Sequence, residues 1–386
     1  MINYVPATGG KVDKRIKDVV PFFLDRTHGK PFSFKMCGYH PILLCLVDHS
    51  EQWEEVTIML PSSKLAYLCG ATGRLPQLKK LDISQEIVDV RNPIPMVTID
   101  AFEDAPLLTH VVLRQPVVQF EFNWSSLTIV HLVKAKIRKD IRSILRETIN
   151  LVELIVEWPW WEDLDSERGG LICLPHLERL DTNDESLLDI IEAPSLQRLK
   201  IDFSSSESSA GITTAAFLRR SGIKLRTLVI MRCFEAIAMD ILSFTPKVEQ
   251  LVLFKVRDMA NLFTWLAGTG PQGLRCRNLN VVWARSLCRE YGKAMGAMHD
   301  MIARRNPSGD VRDPSPREVI AQARSVALQS VLADLELLCR DRGIQFGFAT
   351  STWKLGWMHN IQMAMKDQKK SRKAAGRFII AAPRST

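Results

Sequence analysis

Four residues in MCGYHPILLCLVDHS (36–50) carry side chains that bind zinc: Cys37, His40, Cys45 and His49. Thiolate and imidazole are the donors zinc prefers. Their order, Cys-x2-His-x4-Cys-x3-His, fits no arrangement of ligand pairs around a hairpin. Cys45 and His49 also fall on an apolar stretch that reads as a helix packed on a core, so the cluster is read as structural, with no metal. A second chemical-looking motif is GTGPQG (268–273), formally G-x-G-x-x-G. A dinucleotide-binding loop of that form needs a strand before it and a helix opening at its third glycine. Here a helical stretch precedes it, Pro271 interrupts it and strand-like RCRNLNVVW follows, which predicts a turn. There is no G-x-S-x-G elbow, no phosphate-binding loop and no H-E-x-x-H, and the eight histidines are dispersed. His131 and His176, for example, occupy variable positions of a recurring phrase. The expectation is a protein without catalytic residues and without a cofactor.

That phrase is the strongest signal in the chain. EAPSLQRLKI (192–201) returns as RLPQLKKLDI (74–83), DAPLLTHVVL (104–113), CLPHLERLDT (173–182) and FTPKVEQLVL (244–253). Aligned on L-x-x-L-x-L, its first position falls at Trp53, Leu78, Leu108, Leu127, Leu151, Leu177, Leu196, Leu225, Val248 and Cys276, at intervals of 19–30 residues. The last two apolar positions alternate as in a half-buried strand, and the period is that of leucine-rich repeats. Between the phrases lie helix-like segments: DESLLDIIEA (184–193) with Asp184 as N-cap, TAAFLRRSG (214–222) stopping at Gly222, EAIAMDILSF (235–244) and MANLFTWLAG (259–268). The expected fold is α/β: a leucine-rich-repeat solenoid, or horseshoe, with a parallel sheet on its concave face and helices on its convex face.

The ends of such a stack differ from its middle. Residues 1–52 read as an entry segment of helix, strand and helix, residues 53–285 as about ten irregular repeats, and residues 286–348 as capping helices with a last strand. Within the cap, SPREVIAQARSVALQSVLADLELLCRDRG (315–343) predicts one long helix, with Ser315 and Glu318 as a capping box and Pro316 at the first helical position. Residues 349–386 read as a basic tail without packed structure. From 366 onward the tail holds seven cations against Asp367 alone, a net +6 of the chain's +8, which leaves a nearly neutral body. The tail has few aromatic residues for stacking on single strands, so nucleic-acid binding is not expected. No long apolar run suggests a membrane span, and the N-terminus lacks the apolar centre of a secretory signal, which points to the cytosol or nucleus. Eight unpaired-looking cysteines are read as small buried hydrophobes.

Side chains alternate along a strand, so the residue between the two inward apolar positions must face outward. Along the array this position gives Asp82, Val112, His131, Ile155, Asp181, Lys200, Val229, Val252 and Asn280, with Ile129 and Arg198 from the preceding outward row. These residues form the candidate protein-binding surface. Val112, Ile129, Ile155, Val229 and Val252 are apolar where solvent is expected, which suggests burial by a partner. VEWPWWEDLDSERGG (156–170) is an outsized insertion whose Trp158, Trp160 and Trp161 form a possible anchor loop, since tryptophan is enriched at interaction hot spots.

The run PFSF…ILLCLVDHSEQWEEVTIMLP, GRLPQLKKLDI, DAFEDAPLLTHVVL, WSSLTIVHL, then LPHLERL, EAPSLQRLKI and FLRRSGIKLRTLVI, resembles the F-box/leucine-rich-repeat proteins abundant in mushroom-forming fungi. The resemblance covers roughly residues 12–348. It implies a substrate receptor: in that family an N-terminal F-box docks on the Skp1 adaptor of a cullin-based (SCF) ubiquitin ligase and the repeats present the protein to be ubiquitylated. Nothing before residue 52 matches the opening L-P-x-E-I/L of an F-box, so Skp1 is expected as a partner only with such a module upstream. The alternative is a free-standing repeat scaffold that binds a protein without recruiting a ligase. Either way the chain is expected to be monomeric outside its complex.

Overall fold

The computed structural model describes residues 2–4, 29–39, 41–86, 98–115, 118–135, 141–157, 170–203, 210–222, 224–270, 273–274, 278–285, 291–305, 318–322, 329–342 and 344–348, with a few single residues between them. Fourteen strands form one open sheet, and each strand pairs in parallel with the next one along the sheet. From Ile2–Tyr4 and Phe32–Cys37 the sheet proceeds through Trp53–Pro61, Lys80–Glu86, His110–Arg114, Ile129–Val133, Glu153–Glu157, Arg179–Thr182, Arg198–Asp202, Thr227–Met231 and Gln250–Phe254. It ends with Val281–Arg285, Glu318–Gln322 and Gln345–Phe348. The same sheet therefore continues through both flanks of residues 53–285. No described helix is long and apolar enough to cross a membrane.

Two local devices repeat the strand. The first is a turn that delivers each leading leucine: Leu78 N–H donates to Leu75 O, Leu108 to Ala105 O, Leu177 to Leu174 O, Leu196 to Ala193 O and Val248 to Thr245 O. Pro76, Pro106, Pro175, Pro194 and Pro246 stand second in these turns, where a fixed φ near −65° is already correct. The second is a shared acceptor. Thr128 and Ile129 both donate to Thr109 O, Val152 and Glu153 to Thr128 O, Glu178 and Arg179 to Val152 O, Gln197 and Arg198 to Glu178 O. The series runs on through Gln197 O, Arg226 O and Glu249 O, so each unit's entry is pinned to the unit before it.

The inward apolar positions build one core. Leu78, Leu81, Ile83, Leu177, Leu180, Leu199, Leu228 and Leu251 are all buried, in a single cluster with Phe217, Leu242, Leu262 and Met298 from the helices. Burying each leucine contributes about 1.5–3 kcal/mol, which no unit could collect alone. The covering layer is helical in the second half: Glu185–Ile190, Ala210–Ser221, Glu235–Phe244, Met259–Ala267 and Tyr291–Arg305. Asp184 caps the first of these by accepting from Ser186 N–H, as its position predicts. In the first half the expected helices are largely replaced. There the layer includes the strands Thr98–Phe102 and Gln119–Phe122, paired in parallel, with Phe102, Phe120, Phe122 and Trp124 stacked edge to face or side by side.

Two expectations are corrected. Residues 315–343 are not one helix: Glu318–Gln322 is a strand of the main sheet, with Val319 buried, and the helix is Gln329–Asp341. A capping box is a local signal, and the unpaired edge of Val281–Arg285 outweighs it by offering a full ladder of hydrogen bonds. The last repeat phrase starts at Leu279, not Cys276, because Gln250 pairs with Val281 and Val252 with Trp283. Around GTGPQG, Thr269–Gly270 pairs antiparallel with Gly273–Leu274, while Pro271 and Gln272, on which the expected turn falls, lie outside the described residues.

Candidate functional site: the outward face of the sheet

With inward positions filled by the core, the alternate residues of every strand form rows across the other face. The register places Asp82, Val112, His131, Ile155, Asp181, Lys200, Val229 and Val252 opposite one another in a single row. Ile129 and Arg198 fall in the row before it, with His110, Glu153, Arg179, Thr227 and Gln250. Asn280 does not belong to either row; it precedes the strand and donates its N–H to Glu249 O, and Trp283 holds the expected place. A third row, beyond those read from the sequence, lies one further step of alternation along the strands. It holds Arg114, Val133 and Glu157 in one half and Asp202, Met231 and Phe254 in the other.

Exposure does not follow the simple expectation. Val112, Val229 and Val252 retain only 5%, 3% and 2% of their surface, so three of the five outward apolar residues are already buried. Ile129 and Ile155 are half-buried. Strands pack ~4.8 Å apart, and a short side chain between longer neighbours on both flanks is shielded by them. The two flanking rows keep more of their surface than the middle row.

The centre of the face is ionic and internally paired. His131 Nε2 lies 2.7 Å from Glu153 Oε1, and an Arg179 guanidinium nitrogen donates to the same oxygen at 3.1 Å. Arg179 also donates to Asp181 at 2.9 Å, and Arg198 Nε approaches the other Asp181 oxygen at 4.0 Å. Asp181, 1% exposed, thus sits between two guanidinium groups. Lys200, buried in the middle row, reaches Glu157 at 2.6 Å. Two further ion pairs, Arg114 with Asp82 and Arg232 with Asp202, join neighbouring strands near their ends.

The titration of these groups reflects the pairing. Burial alone would raise the Glu153 carboxyl, but the His131 hydrogen bond and the charges of Arg179 and Arg198 outweigh it, and the carboxyl lies below its ordinary range. Burial likewise opposes the Arg179 charge, yet Asp181 and Glu153 hold its pKa above the usual value. Arg198 goes the other way: burial and the nearby Arg179 depress it despite Asp181. His110 is pushed down by burial and by Lys80.

Beside this block the first two rows are uncharged, and the register places Arg285 in the third row opposite Phe254. Thr227 Oγ1 donates to Gln250 Oε1 at 3.1 Å, and Val229, Val252, Met231, Phe254 and Trp283 continue it. At the entry edge of the strands, Thr128, Asn150, Val152, His176, Glu178 and Ser195 line a shallow groove of about 450 Å³. His176 lies in that groove and His131 in the ion network, at the variable positions where the repeat places them.

Among the described residues no group of three or more His, Cys, Asp or Glu is placed to hold a metal ion. In the Cys37–His49 segment, His49 Nδ1 lies 3.0 Å from Cys45 O. The cysteines vary: Cys233, Cys276 and Cys339 are buried, with burial raising the Cys233 and Cys339 thiols to about 12, but Cys173 is exposed. Trp158, Trp160, Trp161 and the basic tail lie outside the described residues. Compared with known proteins, the chain matches no family model, and none of the curated proteins searched matches it.

Proposed function

We propose that the chain is a leucine-rich-repeat scaffold that captures a protein on the outward face of its sheet, as the substrate-recognition part of an assembly related to SCF ubiquitin ligases. The observation that carries the protein-binding reading is the row register. Successive units place their non-core side chains on one continuous surface while every leucine beneath serves the core. Fourteen strands at ~4.8 Å make a face some 60 Å long, enough for an interface of standard size. The ligase connection rests on the family resemblance alone. The free-standing scaffold differs from it only in recruiting no adaptor.

Capture from a lysate by the immobilised full chain, followed by mass spectrometry, tests the reading. Thr227→Arg with Gln250→Arg is the control, because both positions are half-buried, uncharged and free of core contacts in the row register. Folding should persist and capture should fall; capture that persists places the binding surface elsewhere. Adding purified Skp1 separates the two forms of the proposal, since association from the chain supports the ligase role and its absence leaves the scaffold.

A further inference from the structure

At the end of the uncharged region two successive units bring cations and apolar groups to one rim. Arg232 follows the strand Thr227–Met231, and its N–H donates to Phe254 O at 2.8 Å. Three residues past Phe254, Arg257 N–H donates to Cys233 O at 2.9 Å, so the segments 231–234 and 254–257 run side by side. Arg232 and Lys255 have φ of +58° and +55°, a backbone bend that non-glycine residues adopt rarely. Phe234 is 53% exposed, with the Arg257 guanidinium 4.4 Å from its ring centre. Lys255 Nζ stands 5.5 Å from the Phe254 ring, and Met231 and Phe254 are half-buried on the outward face.

The charge balance of this rim is what marks it. Arg232 is neutralised by Asp202. Among the described residues, Lys255 and Arg257 contact aromatic rings and no carboxylate. The acid next to Arg257 is committed elsewhere: Asp258 Oδ1 accepts from Asn261 N–H at 3.1 Å and caps the helix Met259–Ala267. Arginine, aromatic and methionine side chains together are the composition enriched at interface centres. With Asp258 and Glu235 nearby but not in contact with them, Lys255 and Arg257 leave two cations that favour an anionic group at this rim.

We propose that this rim holds an acidic segment of the partner protein, with an apolar residue of that segment seated against Met231, Phe234 and Phe254 and its carboxylates on Lys255 and Arg257. The proposal rests on the protein-binding reading and adds to it the location and charge of the contact.

The test uses the purified full chain and fluorescence anisotropy with three labelled short peptides and a labelled single-stranded RNA. One peptide has Asp and Glu around a central Trp-Leu pair, the second has Lys in place of the acids, and the third keeps the acids but replaces Trp-Leu by Gly-Ser. The first should bind best, and raised salt should weaken it. Lys255→Glu with Arg257→Glu should reduce its affinity by about tenfold or more, and Phe234→Ala by a few-fold, with thermal unfolding unchanged because Arg257 and Phe234 are exposed and Lys255 is half-exposed. Equal binding of the lysine or Gly-Ser peptide, an unchanged affinity in the charge-reversed variant, or tighter binding of the RNA overturns the proposal. If the charge-reversed chain still captures the same lysate protein as wild type, this assignment falls and the scaffold reading stands. If wild type captures none, both fall.

Discussion

The centre of the outward face and its C-terminal part are built on the same backbone and differ in what their side chains have already spent. In the centre, His131, Arg179, Arg198 and Lys200 meet Glu153, Asp181 and Glu157 within the molecule. From Thr227 to Trp283 the first two rows are uncharged, and among the described residues the rim cations Lys255 and Arg257 contact rings and no carboxylate. A charge that is already paired and half-buried has little to gain from a partner, since a new contact must first replace an old one. A charge beside an apolar patch gains from any anion that reaches it. On the proposed reading, the centre serves cohesion between strands and the C-terminal part serves recognition.

The sharpest way to break this contrast is Asp181→Ala. It takes from Arg179 and Arg198 the buried carboxylate they share and leaves Arg179 with Glu153, and removing one partner of a buried ion cluster costs about 3–5 kcal/mol. Urea unfolding of the variant should show a loss in that range; a loss near zero would mean the central ions are ornamental. Acid gives the next largest effect. Glu153 has a folded pKa below its unfolded value, so its contribution to stability is complete above the ordinary carboxylate range. That contribution is lost as pH falls through the lower, folded value. Hydrogen exchange should then show Glu153–Glu157 and Arg179–Thr182 opening at low pH before Gln250–Phe254, and Glu153→Gln should flatten the difference.

How far the sequence discloses this contrast depends on the range of the forces involved. The register of nine units is readable because each is set by its own leucines and turn, as in Ala193-Pro194-Ser195-Leu196. It fails at the tenth because NLNVVWA offers two adjacent valines, and only pairing with Gln250–Phe254 chooses Val282 as the inward one. The strand at Glu318–Gln322 is hidden for the same reason, its local capping signal being stronger than its local strand signal. Site residues follow the register, so the middle row was legible and the third row was available by one more step of alternation. Pairing was not. Lys200 and Glu157 are 43 residues apart, and nothing near either announces the other. Burial of Val229 is likewise decided by its flanking strands, which makes it a poor surface probe: a carboxylate placed there would be forced into the fold.

Val252→Ala sharpens the comparison from the other region. The side chain is 2% exposed yet lies on the outward face, so its loss removes about two methylenes of burial, near 1.5 kcal/mol. Thermal unfolding should show a loss well below that of Asp181→Ala, and one that does not change with pH, because no titrating group touches the methyls in the row register.

Arg257→Ala should have the smallest effect on the fold. The guanidinium is exposed and its one described contact is the Phe234 ring, an interaction worth about 0.5–1 kcal/mol at the surface. Its backbone N–H to Cys233 O is kept by alanine, so the unit stays pinned. The expected result is an unfolding midpoint within a small shift of wild type, alongside a weakened hold on an acidic peptide. If stability instead fell as far as in Asp181→Ala, Arg257 would be a structural cation like those of the centre. The two regions would then differ in composition and not in role, because a side chain that the fold needs is not one that the fold has left available.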